Sequence, residues 1–578
     1  MVGPAVRPNR ISLIAVKNAL IQRRAPLGDW SYPGVDSALL ERLYRARGVK
    51  SDELDYRAQR LLPVGSLKGI AEGAHLVSDA IMSGATVAVV ADFDNDGASA
   101  AAVVMSALRR FGAQDCFYLV PDRITMGYGL SPLLVDMAAE NGAELIITVD
   151  NGISAHEAGR HANEMGMCLV ITDHHDCPDQ LPCADAIINP KQPECGFESK
   201  NLAGVGVAFY LMLAVQRALS GAGWFEGSPP SLTDLLMFVA LGTIGDMVPL
   251  DYNNRILVEL GLRQIRLGRA PPGLSALMEV AGIEAQRITA EDCAFRLVSR
   301  VNAAGRLESA RQGIDCLLSD SDDEAKALAA ALDEVNKRRR DAQAEMVAAV
   351  EDTLPPPTGV SLVVFNSEWH QGLIGLVCGR LKDRWSRPTI AFTQAGEGTL
   401  KGSCRSIPGF HIRDAIALVS QRLPGTVIAH GGHAAASGLT IKASDLEAFQ
   451  AEFEAVAARS IPPTDLAGRV DTDGELSPEE LNLETAKLLT ESGPWGQGFP
   501  APQFEGSFKV LKADLIGTDA THVRYEVEAH GLRLKVLDFG GFERLHPPGR
   551  VLNMVYRPSV NVWKGRTSMD LHVVAMTE

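Results

Sequence analysis

The stretch Val87-Ala88-Val89-Val90-Ala91-Asp92-Phe93-Asp94-Asn95-Asp96-Gly97 decides how this chain is read. A small apolar run of strand character ends in three aspartates spaced two apart, followed by a glycine and a small-residue segment that predicts a helix over 98–111. Alternate side chains of a strand share a face, so Asp92, Asp94 and Asp96 can converge where extended geometry persists. Three carboxylates that close repel one another unless a cation sits among them. Ligand sites of open α/β sheets gather at the carboxyl ends of strands, and clustered oxygen donors there suit a divalent metal. A lone DxDxD is equally compatible with a polar turn after a buried strand.

The neighbouring sequence favours the metal. A helix over 67–82 leads into the strand, and strands over 116–120, 144–149 and 168–172 then alternate with helices over 132–141 and 154–165. That alternation predicts βαβ units and a parallel sheet. The strand over 144–149 ends at Asp150-Asn151-Gly152, and the one over 168–172 ends at Asp173-His174-His175. Metal-competent residues therefore close three separate strands. Apolar helices over 205–219 and 232–244 follow, the second running into Gly245-Asp246, where an aspartate taken alone reads more readily as a helix-end turn residue than as a ligand. Ser299-Arg300-Val301-Asn302-Ala303-Ala304-Gly305-Arg306-Leu307 adds two arginines, whose planar guanidinium groups suit phosphate as well as an ordinary surface.

Residues 321–352 carry a three-or-four spacing of apolar positions (Leu328, Leu332, Val335, Ala342, Met346, Val350) that predicts one helix. At 1.5 Å per residue it would span on the order of 48 Å before prolines end it, which fits a connector between two lobes or a long surface helix. A second α/β lobe begins at Val360, with strands over 361–365 and 389–392 around Trp369-His370-Gln371-Gly372. Lys401-Gly402-Ser403-Cys404-Arg405-Ser406 and His430-Gly431-Gly432-His433 follow. Paired glycines can bring backbone N–H groups close to a phosphate, or simply make a turn. From about Gly468 short strands over 507–510, 522–529, 533–537, 551–556 and 568–574 predict a small β-barrel. Tyr556, Arg557, Asn561, Trp563, Lys564 and Arg566 interleave aromatics with cations as a single-strand-binding barrel would, although aromatics of small barrels are also core.

Composition sets the outer bounds. At 578 residues the chain has room for about three to four domains. Its 46% hydrophobic and 22% charged content describes a soluble globular protein. A net charge of −16 argues against nucleic acid as a partner at the level of the whole molecule, but a basic groove can coexist with an acidic exterior. Nine scattered cysteines without a CxxC pair predict free thiols in a reducing cytoplasm rather than a zinc or disulfide framework. The longest apolar runs read as strand length, short of the ~20 residues of a membrane span, and no secretory signal is evident.

With Asp92-Phe93-Asp94-Asn95-Asp96-Gly97, Asp150-Asn151-Gly152, Asp173-His174-His175 and Gly245-Asp246 in chain order, the sequence resembles the DHH phosphoesterase family. Gly431-Gly432-His433 resembles that family's accessory domain. The connector, Trp369-His370, Ser403-Cys404-Arg405-Ser406 and the terminal barrel resemble its single-strand-specific 5′→3′ exonuclease branch, from about residue 50 onward. The resemblance implies an α/β protein in five parts. These are a lead-in over 1–75 packed on the DHH domain, a parallel-sheet DHH domain over 76–320, a connector helix over 321–354, a DHH-associated α/β domain over 358–462 and an OB-like barrel over 468–578.

It further implies Asp94, Asp96, Asp150, His174 and Asp246 as ligands of two Mg²⁺ or Mn²⁺ ions, with Asp150 bridging and with Asp92 and Asp173 holding the ligands. His175, Arg306 and Asn302 would face the scissile phosphate. Arg123, Ser403 and Arg405 would receive a 5′ phosphate, and His370, Gly431, Gly432, His433, Tyr556 and Trp563 would contact the strand. Two departures stand out: Val90 occupies a position where relatives carry a histidine, and Asn95 one where alanine is usual. The expected activity is metal-dependent release of 5′-mononucleotides from single-stranded DNA in recombination and repair. A single-strand-binding protein and a helicase are the implied partners of a monomer that engages no membrane. A DHH phosphoesterase acting on short oligonucleotides or cyclic dinucleotides shares the metal motifs but would not need the barrel.

Overall fold

The strand Val87–Ala91 is buried along its whole length, and so is its neighbour Leu145–Val149. Strands covered on both faces need apolar side chains on both, which is why these read as unbroken Val/Ile/Ala runs rather than alternating ones. They sit inside a five-stranded parallel sheet of order Cys116–Leu119, Val87–Ala91, Leu145–Val149, Cys168–Thr172, Ala186–Ile188. The chain leaves Val87–Ala91 to one side and returns on the other, so the strand order reverses there. Such a switch point opens a crevice at the carboxyl ends of the strands, and the aspartates stand in it. The computed structural model describes residues 16–17, 20–123, 125–353, 357–462, 466, 468–517, 520–563 and 565–577.

By internal contacts the chain forms two compact units. The first holds the parallel sheet and residues 50–338, with 493–501. Its helix Asn95–Phe111 packs on Gly204–Gly221 and Leu236–Gly245. Gly204–Gly221 corrects the reading of apolar runs: by length and composition it could cross a membrane, but 67% of it is buried among these helices, where it serves as a core helix. Within the same unit Leu250 N–H donates to the Gln497 carbonyl at 2.7 Å, and Arg255 sits 4.8 Å over the Phe499 ring. Residues 493–501 thus belong with the first unit although the sequence reading gave them to the barrel segment.

The helix Asp322–Thr353 runs unbroken for 32 residues, Arg338 being the last residue of the first unit and Arg339 the first of the second. The second unit contains a five-stranded sheet of order Val427–Gly432, Ala436–Lys442, Thr399–Arg405, Thr389–Gly396, Leu362–Phe365, antiparallel except for its last pair. It also contains a closed barrel of Phe504–Ile516, His522–Ala529, Leu532–Asp538, Val551–Trp563 and Arg566–Thr577. The helix Leu483–Glu491 interrupts a stretch expected to be strands and turns.

The lead-in is divided, where one segment packed on the DHH domain was expected. Residues 50–75 lie with the first unit, where Arg255 pairs with Glu53 at 2.7 Å. Residues 20–49 lie with the second. There Leu20–Arg23 pairs in parallel with Arg469–Thr472, and the buried Arg47 guanidinium donates to both oxygens of Asp473 at 2.9 and 3.0 Å. Residues 1–15 and the side chains of Trp563 and Lys564 fall outside the described residues.

Candidate metal centre

The loop after Val87–Ala91 turns directly into the helix Asn95–Phe111, and Asp94 is its N-cap. Asp94 Oδ1 accepts from the Asp96 and Gly97 N–H groups at 2.8 and 3.2 Å, and Asn302 Oδ1 accepts from the Asn95 N–H at 2.7 Å. The Ala98 N–H reaches the Asp94 carbonyl, so the first four donors of the helix are all satisfied. Asn302, expected at the scissile phosphate, gives its carbonyl oxygen to the aspartate loop. Asn95 turns inward and donates to the Leu241 carbonyl at 2.9 Å, away from the carboxylates. Val90 is buried with Leu134, Val135 and Ile146 and brings no ligand atom.

Ligand atoms of three overlapping groups each lie within 4.8 Å of one another: Asp92, Asp94 and Asp150; Asp96, His174 and Asp246; Asp150, His174 and His175. Asp150 Oδ1 is 3.1 Å from His174 Nε2, and Asp246 Oδ2 is 3.4 Å from it. Asp92 Oδ1, Asp150 Oδ1, His174 Nε2 and Asp246 Oδ2 are buried and make no hydrogen bond among the described residues. Four orphaned polar atoms in one pocket are costly unless a ligand satisfies them. Burial, then the neighbouring carboxylates, raise Asp92 and Asp150 well above the ordinary carboxylate range. Burial pulls His174 down to about 4, so at neutral pH its ring is uncharged and keeps a free lone pair. This donor set fits Mg²⁺ or Mn²⁺: carboxylates dominate, with one imidazole.

Asp96, expected as a ligand, and Asp92, expected to hold the ligands, differ in what already engages them. Both oxygens of Asp96 are engaged, Oδ2 by the Gly204 N–H at 2.7 Å and Oδ1 by the Val205 N–H at 3.0 Å. These are the first amides of Gly204–Gly221, whose N-terminal dipole favours an anion. Asp96 thus ties one helix to another while staying within reach of His174 and Asp246, whereas Asp92 holds a free buried oxygen beside Asp94 and Asp150. Close approach of this kind needs glycine: a Cβ on Gly204 would stand 2.5 Å from Asp150 Oδ1, and one on Gly242 2.6 Å from Asp96 Oδ1.

Asp173 acts as an organiser. It accepts from the Ile153, His174 and His175 N–H groups at 2.8, 2.7 and 3.1 Å and lies 2.7 Å from His175 Nδ1. Burial works against a charged His175, but the Asp173 hydrogen bond and charge outweigh it and hold its pKa up at about 9. An imidazolium is thereby kept beside the cluster. Arg123 stacks 4.7 Å over Phe93 and lines a small recess with Gly305, Glu308 and Ser309. Arg306 is half-buried near the end of Val298–Leu307.

The comparisons with known proteins match this architecture piece by piece. The DHH family N-terminal domain matches residues 86–243, the DHHA1 domain 359–459 and the RecJ OB domain 472–575. The single-stranded-DNA-specific exonuclease RecJ of Escherichia coli K12 is 43% identical over 549 residues, 92% of this chain and 94% of that protein. The chain belongs to the RecJ family. The RecJ of Haemophilus influenzae is 40% identical over 96% of this chain and 99% of its own length. Thermus thermophilus RecJ in complex with Mn²⁺ superposes with a TM-score of 0.79 at 28% identity, over 96% of this chain and 79% of that one. Its Mg²⁺ complex gives 0.72 at 25% identity, over 96% of this chain and 78% of that one.

The remaining RecJ-like positions lie in the second unit. Arg405 donates to the Cys404 carbonyl at 2.8 Å and stands 3.4 Å from Ser403 Oγ. A Cβ on Gly375, in the first turn of Ile374–Trp385, would meet both side chains at 3.0 and 3.1 Å. Exposed His370 accepts the Gly372 N–H through Nδ1 at 3.1 Å. Gly431 and Gly432 form no turn: they end the exposed strand Val427–Gly432, and the turn is at 433–436, closed by the His433 N–H on the Ala436 carbonyl. Tyr556 overturns its expected role. Its ring is 2% exposed and packs edge-on to Phe508 at 5.3 Å, so it builds the barrel core and offers no stacking face. Tyr128, which no sequence motif drew attention to, stands 5.6 Å from His175, flanked by the two glycines that were its only signal.

Proposed function

We propose that this chain is a divalent-metal-dependent exonuclease that hydrolyses single-stranded DNA from its 5′ end to 5′-mononucleotides. The observation that carries the reading is the convergence of four buried, unbonded ligand atoms from Asp92, Asp150, His174 and Asp246 at the switch point of the parallel sheet. Asp92, Asp94 and Asp150 would hold one Mg²⁺ or Mn²⁺ ion and Asp96, His174 and Asp246 the other, with Asp150 also within 3.1 Å of His174. A pair of such ions supplies an acidified water and charge neutralisation at the attacking and leaving oxygens.

The chain's own residues do the rest. Asp173 fixes the His175 ring and favours its charge, so His175 can donate to the phosphate as negative charge grows in a partly desolvated site. Arg306 adds a second cationic donor. Asp96 anchors the loop to Gly204–Gly221, and Asn302 completes the helix N-terminus beneath it. Arg123, Ser403 and Arg405 are the groups we assign to the 5′ phosphate, with His370 and His433 along the strand. A single-strand-binding protein and a helicase fit this activity as partners because they present a free single strand. The family match over the barrel favours long strands over short oligonucleotides or cyclic dinucleotides.

The test uses 5′-labelled single- and double-stranded DNA with Mn²⁺, Mg²⁺ or chelator, scored for mononucleotide release. Digestion of the single strand alone, in metal only, is expected. No release from the single strand in either metal would end this reading.

A further inference from the structure

The loop over 125–131 bends down onto the metal centre at Gly127 and Gly129, both with positive φ (82° and 75°). It is pinned there by the Leu130 N–H, which donates to Asn151 Oδ1 at 3.1 Å. Between the two glycines Tyr128 lays its ring edge-on to Phe93 and to His175, with centroids 6.1 and 5.6 Å apart. Half of the residue faces solvent, but the hydroxyl is turned inward. It donates to the Asp150 carbonyl at 3.0 Å and stands 3.1 Å from His175 Nδ1.

Both contacts fall on residues that need holding. Asp150 has φ +63°, a left-handed conformation that is uncommon outside glycine, although aspartate adopts it more readily than most residues, and that costs free energy unless its surroundings hold it. His175 shares Nδ1 with Asp173 Oδ1 at 2.7 Å. With Nδ1–H directed at Asp173 and the phenol oxygen, the phenol proton is available for the Asp150 carbonyl. Every donor in this small network then has an acceptor.

We propose that Tyr128 is a positioning residue whose hydroxyl clamps the strained Asp150 peptide and the His175 ring in the arrangement hydrolysis uses. The inference rests on the nuclease reading and deepens it: it joins an aspartate that belongs to two of the three ligand groups to the histidine assigned to the phosphate.

The experiment compares full-length wild type with Tyr128→Phe, which keeps the ring and removes only the oxygen. kcat and KM are measured on a 5′-phosphorylated single strand with Mn²⁺, and Mn²⁺ binding is measured without DNA by electron paramagnetic resonance. Loss of a hydrogen bond to a charged partner predicts a kcat lower by about tenfold. KM should be unchanged and Mn²⁺ binding severalfold weaker. Wild-type kcat and Mn²⁺ affinity in Tyr128→Phe would overturn the proposal, as would a raised KM at unchanged kcat, which would make the hydroxyl a strand contact. A wild type that digests no single strand would overturn the nuclease reading instead, and the Mn²⁺ binding of the two proteins would still decide the clamp.

Discussion

The carboxylate cluster at the ends of the parallel strands and the histidine-bearing hairpin of the second unit both carry conspicuous motifs, yet they are built in opposite ways. In the cluster, charged groups are buried, crowded and left with unbonded atoms, so the fold itself demands a cation. At Val427–Gly432 every residue from Ile428 to Gly432 is exposed, and the strand pairs along one edge with Ala436–Lys442. Nothing there is under stress. A catalytic centre announces itself by unpaid desolvation; a recognition surface can only be found by what binds it.

The largest effect that could break this contrast is at Asp150. Asp150→Ala should lower metal-dependent digestion by more than the roughly hundred- to thousandfold that removal of one electrostatic donor costs. Ordinary activity in that variant, measured as mononucleotide release, would mean that the buried cluster is not the catalytic one. Next is Tyr556. As a fully packed barrel ring its truncation to alanine should cost about 3–5 kcal/mol of stability in urea unfolding. Unchanged stability with weaker strand binding would return Tyr556 to the recognition surface.

That Tyr556 reads from sequence as a stacking residue shows where legibility stops. The parallel sheet could be read because its strands are covered on both faces and so carry long apolar runs, and because a loop at each carboxyl end interrupts them with acid. The ligand field was legible as a set of residue types in chain order. Which aspartate of Asp92-Phe93-Asp94-Asn95-Asp96 bonds to what was not, since the deciding partners are the Gly204 and Val205 amides, more than a hundred positions away along the chain. Barrel strands are harder still: whether an aromatic faces in or out depends on register, and a bulge between Val555 and Tyr556 shifts it. Tyr128 escaped because one tyrosine between glycines has no spacing signature. The attachment of Leu20–Arg23 to Arg469–Thr472 escaped because no local pattern records a pairing across that span.

Asp92 and Asp96 sharpen the comparison within the cluster. Asp92→Asn removes a carboxyl whose ionisation opposes the fold and breaks no hydrogen bond of Oδ1, so the metal-free protein should melt higher as pH rises while losing its stabilisation by Mn²⁺. Asp96→Asn places an NH₂ group where two backbone donors need acceptors. It should cost about 2 kcal/mol and roughly 4–8 °C in melting temperature. The raised carboxylates add a pH signature. Asp92 and Asp150 hold protons in the metal-free fold above their unfolded pKa, so their ionisation lowers its stability as pH rises. Mn²⁺ must displace those protons, so its affinity should rise with pH, and calorimetry in buffers of different ionisation enthalpy should show proton release. Binding without proton release would contradict the carboxylate ligands.

The smallest effects separate the two glycines of the hairpin. Gly432 has φ +133°, and a Cβ there would stand 2.5 Å from the Ala436 carbonyl oxygen and 2.6 Å from Ser437 Cα. Gly432→Ala should therefore cost about 1–3 kcal/mol through backbone strain alone, with any loss of strand binding secondary to the distorted turn. Gly431 is different: a Cβ there meets nothing within 4 Å, and its φ is not positive. Alanine at that position should leave the fold intact or slightly firmer, by about 0.5–1 kcal/mol in an extended segment. Any change in affinity for a single strand is then due to the added methyl group meeting the strand. We expect Gly431→Ala to weaken binding severalfold in low-salt fluorescence anisotropy at unchanged melting temperature. Equal affinity in the two proteins would take the hairpin off the strand's path and leave His433 as an exposed turn residue.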